Sequence, residues 1–159
     1  LMKHGSTLFL KIAVFLIGTP VFILSIIGLV SLVKDPANPE YAYILYPIVT
    51  GMFLTTIPFY FALYQALKLL GYIDKNEAFS HFSVEALKKI KFCAITISSV
   101  YVVIMPFIFL LADKDDAPGA IIMGAVPIFA SIVIAVFAAV LQRLLQVAID
   151  IKSENDLTV

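Results

Sequence analysis

Two histidines and one cysteine are the side chains of this chain best suited to metal or nucleophilic chemistry, and their spacing assembles neither. A metal site draws on three or four ligands, so His4 and His81 read as solvated loop histidines rather than a ligand pair. Cys93 has no second cysteine to pair with. Beside Lys91 its thiol is open to acylation or oxidation, but a lone cysteine more commonly behaves as a small buried apolar residue. No glycine-rich phosphate loop, His-Glu-x-x-His helix or Gly-x-Ser-x-Gly elbow occurs. These absences point to a protein that is not an enzyme, with no catalytic, cofactor-binding or metal-ligating residue to assign and no cofactor.

The elements that would have to position any such chemistry are membrane spans. Of the 159 residues, 62% are hydrophobic and 14% charged, against about 45–50% and about 25% in a soluble domain. Four runs free of Asp, Glu, Lys and Arg cover residues 12–33, 41–67, 92–112 and 117–142. Each reaches the length of about 20 residues that a helix needs to cross a hydrocarbon core about 30 Å thick. The runs are apolar on every face, where a barrel strand would alternate. The reading is an all-α polytopic membrane protein, a four-transmembrane-helix bundle of antiparallel hairpins forming one domain over 1–159. The first run is too long for the apolar core of a signal peptide and is read as a span.

With four spans both termini share a side. That side carries Lys3, Lys11, Lys68, Lys75, Lys88, Lys89, Lys91, Arg143 and Lys152, and the other carries Lys34 and Lys114. The positive-inside rule makes the first side cytoplasmic, with a loop at 68–91 and a tail at 143–159. The expected location is the cell membrane, multi-pass, both termini inside. Eleven basic and eleven acidic residues cancel, so no basic field points to direct nucleic-acid binding.

No ionisable residue lies within the four runs, which argues against a proton or ion relay. Gln65 and Gln142 fall near the inner ends, where hydration is expected. Every span contains proline: Pro20, Pro47, Pro58, Pro106 and Pro127. Each removes a backbone donor, kinks the helix and frees a carbonyl, for which Thr19, Thr55, Thr56 and Ser98 are suitable donors. Small residues four apart, Ala94 and Ser98, Ala120 and Gly124, and Ser131, Ala135 and Ala139, permit close helix approach. They suggest a fourth helix packed centrally and leave a homodimer seam open.

Two inner segments carry the remaining signal. After Gly71, which can end the second helix, Ser80 or Ser83 can cap a third whose Phe79, Phe82, Ala86 and Ile90 recur at helical spacing. This reads as an amphipathic lead-in lying at the inner headgroups, anchored by Lys88, Lys89 and Lys91, or as a docking surface. Past the fourth run, Arg143, Gln146, Asp150 and Ser153 form a polar line, and Leu141, Leu144, Leu145, Ala148 and Ile151 an apolar stripe. The last residues, with Glu154, Asp156, Leu157 and Val159, read as a short extended end offering charge and apolar anchors.

At these segments the chain resembles the YoaS-like family of small four-helix bacterial membrane proteins of unknown function. The resemblance rests on Tyr72-Ile73-Asp74, on Phe79-Ser80 opening a helix with Leu87 and Ile90 behind it, and on the closing Glu154-Asn155-Asp156-Leu157-Thr158-Val159. Members look similar to products encoded beside a short helix-turn-helix protein. The resemblance therefore implies a membrane regulator that holds a small cytoplasmic helix-turn-helix transcription factor through Phe79, Ser80, Glu154, Asp156, Leu157 and Val159. The alternative is a small transporter or immunity-type protein that handles an apolar or peptide ligand within the proline-kinked bundle.

Overall fold

A computed structural model describes residues 2–34 and 39–158 of the chain, as four helices: α1 (Met2–Lys34), α2 (Pro39–Asp74), α3 (His81–Lys114) and α4 (Gly119–Thr158). At 1.5 Å per residue they run about 50–60 Å, well beyond the roughly 30 Å of hydrocarbon. All four are long and apolar enough to cross a membrane; the first three charge-free runs lie inside helices, and the fourth does so from Gly119 on. Since the α3–α4 turn is short, the excess length gathers at the end that carries the lysines and the termini.

The two described turns close with the same chemistry. Asn76 (φ 61°) and Asp116 (φ 52°) adopt the left-handed conformation, which short Asx side chains tolerate better than other non-glycine residues. The following amides reach back five residues, Glu77 N–H to the Tyr72 carbonyl at 2.7 Å and Ala117 N–H to the Ala112 carbonyl at 2.8 Å, which satisfies carbonyls orphaned at the helix ends. Gly71, the expected terminator of α2, lies inside the helix instead. Ser80 does sit at the N-cap of α3, in extended conformation and without a side-chain cap bond. Its hydroxyl donates to the Glu77 carbonyl at 2.6 Å, and the buried Ser83 hydroxyl reaches the same oxygen at 3.3 Å.

Among the described residues the helices touch only in chain order, α1 on α2, α2 on α3 and α3 on α4. The bundle is thus an open row with α3 inside it. Ile44 and Ile48 of α2 and Ile104 and Ile108 of α3 form its core cluster. Gly51 and Gly124 allow that density. A Cβ on Gly51 would lie 2.1 Å from Ile104 Cδ1, and one on Gly124 would lie 2.7 Å from Ile108 Cδ1. On α4 one line of buried or half-buried positions, 124, 128, 131, 135, 138, 142, 145 and 149, alternates four and three apart, the heptad period of left-handed helix packing. The small residues of α4 serve this single seam with α3. Contrary to the expectation of a central α4, that helix stands at an edge.

Three further expectations need correction. The lead-in is no separate surface helix but the first turns of α3, because neither glycine nor proline occurs from His81 to Met105 to break it. Its buried face is Ser83, Val84, Ala86 and Leu87, while Phe79 and Phe82 are 59% and 63% exposed. The C-terminal end is not extended, since α4 continues to Thr158. Gln65 and the Gln142 Oε1 atom are buried rather than hydrated, the latter without a hydrogen-bond partner.

Each of the five prolines lies within an unbroken helix. The threonines do not cover the carbonyls they free. Thr19 donates to the Phe15 carbonyl, Thr55 to Met52 and Thr56 to Phe53. A threonine in a helix reaches back three or four residues, whereas Pro20 frees Leu16 and Pro58 frees Leu54.

Candidate functional site at the lysine-rich end

The charged ends of α1 and α2 are joined by one polar cluster. Asp74 closes α2, where a carboxylate meets the negative end of the helix dipole. Lys11 of α1 compensates it, with Nζ 2.7 Å from Asp74 Oδ2, and the buried Thr7 donates its hydroxyl to Asp74 Oδ1. Sequence reading placed Lys11 in the basic count of its side and Asp74 in a family motif, and missed that they meet. The usable signal was Tyr72-Ile73-Asp74 itself, an acid at the end of an apolar helix, where only a counter-charge makes it favourable. Seven residues farther along α1, Tyr60 of α2 donates to the Gly18 carbonyl at 2.9 Å.

The turn between α2 and α3 presents Phe79 beside Tyr72 and Phe82, whose rings stack with centroids 5.8 Å apart. The antiparallel register set by Gly124 against Ile108 brings this turn level with Ile151 and Lys152 of α4. Phe79 and Ser80 therefore share one end of the molecule with the tail residues Glu154, Asp156 and Leu157. Those three stand beyond the turn, on helix, within a stretch at 150–157 that is exposed throughout. Leu157 is 84% exposed, and Val159 lies outside the described residues, as do the side chains of Lys3 and His4.

The apolar stripe expected on α4 divides in two. Leu145 and Ala148 are half-buried along the α3 seam together with Ile149, while Leu144 and Ile151 are exposed with Val147. Val147 completes an exposed row at 144, 147 and 151 that sequence reading missed, because one apolar stripe cannot show which of its members a neighbour covers. Past Arg143 this row leaves the charge-free part of the helix and is flanked by Asp150 and Glu154. Gln146 is turned toward Asp150, with Nε2 3.1 Å from Oδ1.

Among the described residues no group of three His, Cys, Asp or Glu side chains comes together. Cys93 is buried with its thiol free.

Residues 31–159 match the family model of DUF2975, a protein of unknown function. The chain belongs to that family. It is also 59% identical over 160 residues to the uncharacterized membrane protein YoaS of Bacillus subtilis (strain 168), an alignment covering 99% of this chain and 100% of that protein. No solved structure matches. With four apolar helices of spanning length, the chain is an integral membrane protein living in a lipid bilayer.

Proposed function

We propose that this protein is a non-enzymatic regulator of the cell membrane, both termini cytoplasmic, that holds a small helix-turn-helix transcription factor through the α2–α3 turn and the inner end of α4. The observation carrying this reading is an exposed apolar row on the inner extension of α4. Leu144, Val147 and Ile151 are exposed at three- and four-residue steps beyond the last charge-free run, the pattern by which an amphipathic helix seats in a partner's groove. Asp150 and Glu154 outnumber Arg143 along the edge of that face, and a helix-turn-helix protein is basic where it meets DNA phosphate. An acidic helix of this kind competes with DNA for the same surface. The exposed Phe79 at the neighbouring turn supplies an aromatic anchor of the sort that dominates protein interfaces.

The test is capture of a co-expressed helix-turn-helix protein by the full chain in detergent. Truncation after Lys152 and the pair Leu144→Glu with Ile151→Glu leave membrane insertion intact and abolish capture. Equal capture by the intact chain and by both variants counts decisively against the proposal.

A further inference from the structure

The row is loosest between α1 and α2. The two helices touch at Gly18, where an added Cβ would lie 3.0 Å from Leu63 Cδ1. Farther along α1 they part around a groove of about 380 Å³ lined by Phe22, Ser25 and Ile26 of α1 and Phe53, Thr56 and Tyr60 of α2. That is the lower part of the size range of ligand pockets, about 300–1,000 Å³.

All three hydroxyls of the lining are already committed as donors: Ser25 to the Val21 carbonyl at 2.8 Å, Thr56 to Phe53 at 2.6 Å and Tyr60 to Gly18 at 2.9 Å. The walls therefore ask for an apolar occupant. Because the groove lies inside the spanning segments Thr7–Gly28 and Ala42–Asp74, what reaches it comes from the bilayer.

A cation lies on the same helix as Tyr60, toward the lysine-rich end. Tyr60, Tyr64 and Lys68 follow at four-residue steps along one row of α2, leading from the groove toward the lysine-rich end. Lys68 Nζ lies 5.6 Å above the ring of Tyr64. Among the described residues the ion pair goes to Lys11, not to Lys68. Eight residues of helix separate Tyr60 from Lys68 by about 12 Å, the order of distance between a phospholipid's phosphate and the middle of its acyl chain.

We propose that this groove is a seat for one anionic phospholipid of the leaflet at the lysine-rich end, its acyl chain between α1 and α2 and its phosphate at Lys68. The assignment is independent of any cytoplasmic partner.

Native mass spectrometry of the full chain, equilibrated in detergent with equal amounts of phosphatidylglycerol and phosphatidylcholine of identical chains, tests it. The unmodified protein retains phosphatidylglycerol over phosphatidylcholine by about fivefold, the worth of one lysine at a charged surface. Lys68→Gln brings the two lipids level, and Ser25→Phe or Thr56→Phe, which fill the groove, reduces retention of both while circular dichroism reports unchanged helicity. Equal retention of the two lipids by the unmodified protein overturns the proposal, a result that needs no variant to fold. So does a preference that survives both Lys68→Gln and the groove-filling changes, which would mark an adventitious additive only.

Discussion

Lys11 and Asp74 decide whether α1 stays on the row. The pair is partly open, with side chains 34% and 19% exposed, so screening holds it below a fully buried bridge, and it is expected to contribute about 1–2 kcal/mol. Asp74→Asn and Lys11→Gln should each lower resistance to thermal unfolding in detergent, and the double variant should lose less than the sum of the two. Additive losses would mean that the two groups do not act on each other. The sequence marked Asp74 as an acid in need of a counter-charge without naming Lys11 as its partner. Charges at span ends are read first as topology, and which acid meets which base depends on a register fixed far away, where Gly18 touches Leu63. The burial of Gln65 and the Gln142 carboxamide oxygen was equally hidden, since it follows from α3 packing past a height that the charge pattern assigns to the membrane boundary.

Gly51 and Gly124 set the spacing of the helices in the row. In both cases the nearest atom is the tip of an isoleucine, with Ile104 Cγ1 at 2.6 Å and Met105 Sδ at 2.8 Å close behind. These are all side-chain atoms, so a methyl group can be partly accommodated, whereas a larger side chain forces α3 outward. Gly51→Ala is expected to destabilise the chain by roughly 1 kcal/mol and Gly51→Leu by roughly 3, read as shifts in thermal unfolding. Gly28 and Gly119, whose Cβ positions meet nothing, should tolerate alanine, and equal losses at all four positions would contradict the packing. At this scale the sequence was informative about length and poor about neighbours. Charge-free runs located all four helices because burying an ionised side chain in hydrocarbon is strongly unfavourable. The polar line through Arg143, Gln146, Asp150 and Ser153 also marked the inward continuation of the fourth helix, which α4 bears out. The same letters could not say that the last residues stay helical or that α4 packs on α3 alone. Small residues at four-residue steps allow close approach without naming the partner.

Across the whole molecule the registers imply a lean. Lys11 is level with Asp74 on α2, while on the other side of α2 Tyr72 packs on Phe82, and with Gly124 against Ile108 this leaves Arg143 of α4 about nine residues deeper than Lys11. That offset is about 13 Å of helix rise spread over the three interhelical spacings, of about 8–10 Å each, from α1 to α4. A tilt of about 20–30° within the row brings these boundary charges to one plane, inside the range seen for membrane helices. Infrared dichroism of oriented bilayers should report a mean tilt in that interval, and helices standing upright would contradict the registers. The lean also leaves the end of α4 as the farthest point from the bilayer on the lysine-rich side, where the proposed partner would meet it.

The proposed regulatory role depends on that side facing the cytoplasm, and one labelling measurement decides it. In a Cys93→Ser background, single cysteines replace Glu77, Asp116 and Asn155, and intact cells are treated with a maleimide that does not cross membranes. Labelling at position 116 in intact cells, with positions 77 and 155 reacting only after permeabilisation, is the expected result; reaction at 77 or 155 in intact cells would contradict it.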